Sequence, residues 1–251
     1  MLFSELKEYL NFKSVQYNTR DFIETDPIQI PHRFNHKEDI EIIAFLVSTI
    51  AWGKRAMIIK SSERLLDIMQ HSPFEFIQNY ESNSNLEFVH RTFNGLDLDF
   101  FFRSLQNIYR IGGLEKAFSK HPEIEGVKGR IMNFRELFLE TEHEKRSEKH
   151  ISNPMKNSAT KRINMFLRWM VRDDNTGVDF GIWKSIPTSE LFLPLDVHTS
   201  RISRELGLLS RKQDDWKALE ELMGKLRKMD ANDPVKYDFA LFGIGVFEKE
   251  K

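Results

Sequence analysis

Apolar residues recur at helical spacing along most of the chain, whereas the period-two alternation of a half-buried strand is nearly absent. A chain patterned this way buries its apolar stripes by packing helix on helix, so the expected fold class is all-α. Asn35 and Glu38 have the spacing of a capping box, opening a helix through Ile42, Ile43, Leu46 and Ile50 that ends near Gly53. A second helix is expected over about 55–70. Asp97 or Asp99 can cap a third, with Phe102, Leu105 and Tyr109 on one side and a stop at Gly112 and Gly113. Leu114 and Phe118 form a short helix before Pro122, and another covers about 126–140. The polar stretch from Thr141 to Asn157, broken at Asn153-Pro154, reads as a loop and is the best internal boundary. Beyond it Ser158 can cap a helix to about Arg172, and Asp196 can cap one through Ile202 and Leu206 that Gly207 closes. Two more helices are expected, over about 214–229 and 233–247.

The 251 residues suffice for one sizeable core or two small lobes, and the absence of cysteine excludes disulfides, thiolate nucleophiles, Cys-ligated zinc and iron–sulfur clusters. Covalent chemistry would therefore fall to a lysine, serine or carboxylate. The most apolar run, Ile40 to Trp52, contains Glu41, Ser48 and Thr49 and falls short of the roughly 20 residues of a membrane span. The N-terminal residues lack the pattern of a secretory signal, and a cytoplasmic protein without a membrane partner is expected. Lys+Arg (37) and Asp+Glu (38) nearly cancel, so attraction to nucleic acid needs a local basic face. From Lys145 to Arg172 eight basic residues stand against Glu148 alone.

Candidate chemistry is sparse. Asp179-Phe180-Gly181 matches a kinase tripeptide, but no glycine-rich loop or catalytic-loop pattern accompanies it, and it is read as chance. His32, His36 and Asp39 read as a solvated helix start, so no metal and no cofactor is expected. Most of the 21 Phe sit at helical spacing and belong to the core. Two stretches are informative. Asp196, as an N-cap, is a fixed anion that can stabilise a developing cation. Lys161 lies in the first turn of its helix, where the dipole disfavours a cation by ~0.3–1 kcal/mol, which points to a use for the amine.

Together, Lys161-Arg162-Ile163-Asn164 followed by Leu167, and Leu195-Asp196-Val197-His198-Thr199-Ser200-Arg201 continued by Glu205-Leu206-Gly207-Leu208, resemble the helix-hairpin-helix DNA glycosylase superfamily, which includes endonuclease III and the archaeal 8-oxoguanine glycosylases. Ile43 to Ser48 looks like that family's early barrel helix and Asp238 to Gly243 like its late one. As a whole the chain is also similar to DUF2400, a bacterial family of unknown function, whose ending reads much like Asp233 to Gly245. The chain departs from the glycosylase pattern at the hairpin turn, where residues 153–158 contain no glycine.

The resemblance implies two helical lobes, 36–172 and 1–35 joined to 173–251, with Lys161 and Asp196 facing each other across a cleft. It implies a bifunctional N-glycosylase and AP lyase in DNA repair, acting on damaged or abasic duplex DNA. Lys161 would be the nucleophile and Asp196 the stabilising carboxylate, with His198 and Asn164 supporting them. Lys156, Arg162 and Arg168 would contact phosphate, and Trp52 and Trp169 would line the base pocket. A nucleic-acid binder that keeps the fold without the reaction, favoured by the missing glycines, and a helical interaction module, favoured by the near-neutral charge, are the alternatives. Oligomeric state is left open.

Overall fold

A computed structural model describes residues 2–83 and 85–248; the ends of the expected second lobe, at Met1 and 249–251, lie outside them. The described residues are mostly helical. In chain order they form α1 (Phe3–Tyr17), α2 (Asp21–Thr25), α3 (Lys37–Thr49), α4 (Arg55–Ile68), α5 (Pro73–Gln78), β1 (Val89–His90), β2 (Phe93–Asn94), α6 (Gly95–Arg110), α7 (Leu114–Ala117), α8 (Gly126–Leu139), α9 (Lys161–Val171), α10 (Val197–Glu205), α11 (Trp216–Met229) and α12 (Tyr237–Phe247). No helix among them is long and apolar enough to cross a membrane.

Two compact units emerge, Thr25–Asn153 and Met1–Glu24 with Pro154–Lys251. The division thus falls elsewhere than the expected 35/36 and 172/173, and α9 shares a unit with α10. The physical reason lies in α9's partners: Arg168 and Arg172 pair with Asp174, Asp179, Asp233 and Asp238.

In the Thr25–Asn153 unit, α3 buries every residue from Ile40 to Thr49. Phe45 stacks on Phe101 at 5.8 Å and meets the edge of Phe134 at 5.4 Å. Two caps differ from the sequence reading. His36, without a side-chain bond, occupies the cap of α3 and the Asn35–Glu38 box does not form, while Asp39 turns to accept the Phe74 N–H at the start of α5. Asn94, not Asp97 or Asp99, caps α6; Asp97 is its reciprocal capping-box partner, and Asp99 instead binds Tyr80, Ser82 and Arg103.

In the other unit, α12 packs against both α1 and α10. Its sequence allows this because glycines stand at the contacts. A Cβ on Gly243 would lie 2.1 Å from the Tyr17 ring of α1, and one on Gly245 would lie 3.1 Å from the His198 Cβ of α10. Gly243→Ala is therefore expected to destabilise the protein by about 3 kcal/mol, the upper part of the range for overpacking. A wild-type urea midpoint in that variant would show that the helices separate without cost.

Candidate active site

The segment leading into α9 holds two residues in the left-handed region, Asn157 (φ 60°) and Thr160 (φ 46°). Asparagine tolerates this conformation, and here it is clamped: Asn157 Nδ2 donates to Asp215 Oδ2 at 2.8 Å and its carbonyl accepts the Trp216 N–H. Thr160 is β-branched, so its conformation is a backbone outlier that the surroundings must enforce. Asn164, fully buried one turn into α9, does so by donating Nδ2 to the Ala159 carbonyl at 3.0 Å and to Thr160 Oγ1 at 3.2 Å. The expected Ser158 cap does not form. Its hydroxyl accepts the Thr160 N–H, and α9 begins at Lys161 without a side-chain cap from Thr160.

Asp196 is the N-cap of α10, as its position predicts. One carboxylate oxygen accepts the N–H groups of His198 and Thr199, each at 2.9 Å, which fixes it as a half-buried anion. His198 thus holds Asp196 through its backbone; its imidazole lies edge-on to Phe242 at 6.2 Å.

The residue that joins these stretches is Asp238, in the first turn of α12 and 5% exposed. Arg168 of α9 pairs with it through Nη1 and donates Nε to the buried Asp179 at 3.2 Å, stacking over the Phe239 ring at 4.4 Å. Burial pushes the Asp238 carboxyl up to about 7 against the pull of Arg168; Asp196 adds to the rise and Lys161 opposes it. Lys161 and Asp196 therefore both act on one buried carboxyl, which links α9, α10 and α12 electrostatically. Burial also raises Asp179, opposed by Arg168 and Arg172.

Buried polar groups are normally satisfied, and those that are not mark strain or function. Asn164 Oδ1 and Trp169 Nε1 on α9, and Thr199 Oγ1 and Ser203 Oγ on α10, are buried without a hydrogen-bond partner among the described residues. They lie on the two helices that carry Lys161 and Asp196.

The remaining sequence-derived candidates divide. Lys156 is exposed, and half-buried Arg162, which burial lowers to about 10, keeps its charge at neutral pH. Arg168, expected at a phosphate, is 4% exposed and committed to Asp179 and Asp238, so it is an internal pillar. Trp169, expected to line a base pocket, is fully buried in the core. Trp52 is half-buried in the other unit, stacked on His150 at 6.0 Å with its carbonyl facing His90 Nε2. Asp179 and Asp238 are not among the sequence-derived candidates. The signal for Asp238 is a lone carboxylate within an otherwise apolar helix, and for Asp179 it is the Asp-Phe-Gly tripeptide.

The raised carboxyl gives a pH test. Asp238 in the unfolded chain releases its proton near 4, whereas in the folded chain it holds the proton to about 7. Between those values the folded state binds more protons, so its contribution to stability falls as pH rises and levels off above 7. Urea midpoints at pH 5 and pH 8 should show this loss in the wild type and not in Asp238→Asn. Equal slopes in the two proteins would show that Asp238 is ionised throughout.

A family model described as a protein of unknown function, DUF2400, matches residues 26–247. No curated protein and no solved structure matches the chain.

Proposed function

We propose a reaction for this chain, which belongs to the DUF2400 family: excision of a damaged base from DNA followed by lysine-dependent strand cleavage, on a fold of the helix-hairpin-helix glycosylase type. The observation that carries the reading is the placement of Lys161 at the start of α9 and of Asp196, held by two backbone N–H groups, at the start of α10 in one compact unit. The glycosidic carbon is out of reach within a duplex, so the damaged nucleotide leaves the stack before reaction. Asp196, held by two backbone N–H groups, stabilises positive charge on the sugar as the bond from its anomeric carbon to the base breaks and the electron pair departs with the base. The Lys161 amine forms the new bond to that carbon, losing a proton to a neighbouring carboxylate. Opening of the sugar ring gives a Schiff base. Loss of a proton from the adjacent sugar carbon then expels the 3′ phosphate and nicks the strand. Lys156 and Arg162 are the phosphate contacts of this reading; Arg168 supports α9 from within.

The experiment is a panel of duplex oligonucleotides carrying single lesions or an abasic site, incubated with the full chain and borohydride. A covalent protein–DNA adduct and a nicked strand support the reading. The alternative, a nucleic-acid binder without chemistry, is favoured by the hairpin turn, which has no glycine and whose Thr160 N–H is taken up by Ser158. It is the better reading if the protein binds duplex DNA and forms no adduct. Absence of binding even at low salt removes both and leaves a helical interaction module.

A further inference from the structure

The Thr25–Asn153 unit carries a surface whose charge departs from that of the whole chain. No carboxylate occurs between Glu41 and Glu63, nor between Glu87 and Asp97, so Lys54, Arg55 and Arg91 have no acid within their own segments. The fold brings these segments together. His90 Nε2 faces the Trp52 carbonyl at 3.1 Å, and the Trp52 ring stands perpendicular to the imidazole at 5.0 Å. Arg91, the next residue, lies over Gly53: a Cβ there would stand 2.9 Å from Arg91 Nη1 and 3.4 Å from its Cδ. Gly53, at φ 102°, thus gives Arg91 room beside Lys54. From the segment that follows α8, exposed Arg146 donates Nη2 to the Thr92 carbonyl at 3.0 Å and Nη1 to Asp97 Oδ1 at 3.0 Å.

Two of these placements run against stability. Cations at the start of α4 oppose its dipole, which favours acids there, and the first turn has none. Arg91 stands at φ 57° in the two-residue turn between β1 and β2, where glycine or asparagine is the usual residue. Lys54 and Arg91 are exposed and make no hydrogen bond or ion pair among the described residues. Asp97, the carboxylate bonded to Arg146, is buried, also faces His150, and cancels one charge of the group. Lys54, Arg55 and Arg91 remain as a net positive surface on a chain of formal charge −1. With Arg146 these cations are spread over three segments rather than gathered round one point, so the partner that fits them carries its anions in a row. A phosphodiester backbone does, with one charge per ~1.7 Å of duplex axis. We propose that the surface formed by Lys54, Arg55, Arg91 and Arg146 is a contact face for the sugar–phosphate backbone of DNA. It rests on the DNA reading given above and adds a surface which that reading does not use; it needs no lesion and takes no part in the chemistry.

Fluorescence anisotropy of the full chain with an undamaged duplex, followed from about 50 to 200 mM salt, tests this. Lys54→Gln combined with Arg91→Gln should make the slope of log affinity against log salt shallower by about 2 and weaken binding at low salt at least tenfold, because each lost phosphate contact removes close to one released counterion. Lys54→Gln alone, on an exposed side chain, should give about half the change in slope. Lys217→Gln combined with Lys228→Gln removes the same charge from exposed positions of the other unit and should leave slope and affinity as in the wild type. A wild type that binds DNA beside an unchanged slope in the Lys54–Arg91 variant overturns the proposal and leaves the DNA reading standing. An equal fall in both double variants reduces the effect to general charge and overturns it as well, and no binding by the wild type at low salt ends both. Poly-glutamate that displaces the duplex at equal charge concentration would assign the surface to an acidic protein instead.

Discussion

Lys161→Gln is expected to abolish the borohydride-trapped adduct with lesion-bearing DNA while leaving thermal stability within experimental error. A Schiff base requires a primary amine, so no residual trapping through this position remains, whereas an enzyme that only activates water would never have formed a reducible link. The substitution falls at the first residue of α9 on a half-buried side chain, so it opens no core cavity. Asp196→Asn separates charge from shape. The amide oxygen can still accept the N–H groups of His198 and Thr199, so the start of α10 and DNA binding should persist, yet base release should slow about 100-fold or more because the anion facing the sugar is lost. Trapping that survives in Lys161→Gln would move the nucleophile elsewhere. A wild-type protein that binds DNA and traps on no lesion would favour the binder.

The second large effect is structural. Arg168→Met should destabilise the protein by about 3–5 kcal/mol, because it leaves Asp238 buried without its cation and Asp179 with Arg172 alone. Combining it with Asp238→Asn should recover part of that loss, since removing the second charge removes part of the uncompensated burial; strictly additive effects would show that the two residues do not interact. The same pair of variants distinguishes a pillar from a phosphate contact. An arginine on the DNA surface would leave folding untouched and reduce the salt dependence of binding.

The helices that can be read from the sequence are those whose apolar residues form a stripe and whose ends carry short polar signals. α9 shows Ile163, Phe166, Leu167 and Met170 on its buried side, and α10 announces itself through Asp196. α1 was not legible because it buries only a narrow row, Leu6, Leu10 and Ser14, while Phe12 and Val15 remain exposed. The β1–β2 hairpin was equally hidden, being two residues per strand. Lys161 and Asp196 could be found by spacing, since each sits at a helix start with its own local reason. For Asp238 the sequence shows only a lone carboxylate in an apolar helix; the burial that raises its proton affinity and the Arg168 that pairs with it, 70 positions earlier in the chain, come from packing between distant segments. The role of Arg168 was misread for the same reason: within a basic stretch a surface position is the natural expectation, and the partners that draw it inward lie in distant segments.

The packing of α12 against both α1 and α10 also sets an order of events during synthesis. Tyr17 and Glu248, joined side chain to side chain, stand 231 positions apart. The apolar row of α1 waits for α12 to emerge from the ribosome, whereas the Thr25–Asn153 unit is a continuous segment that can close its core well before then. At about 5–20 residues per second, α1 waits on the order of ten seconds or more, and a loop of this length must be closed before its contacts yield any return. The nascent chain therefore carries Leu6 and Leu10 without their α12 cover until that helix emerges, and pausing before then prolongs the interval in which a chaperone, or another nascent chain, can reach them.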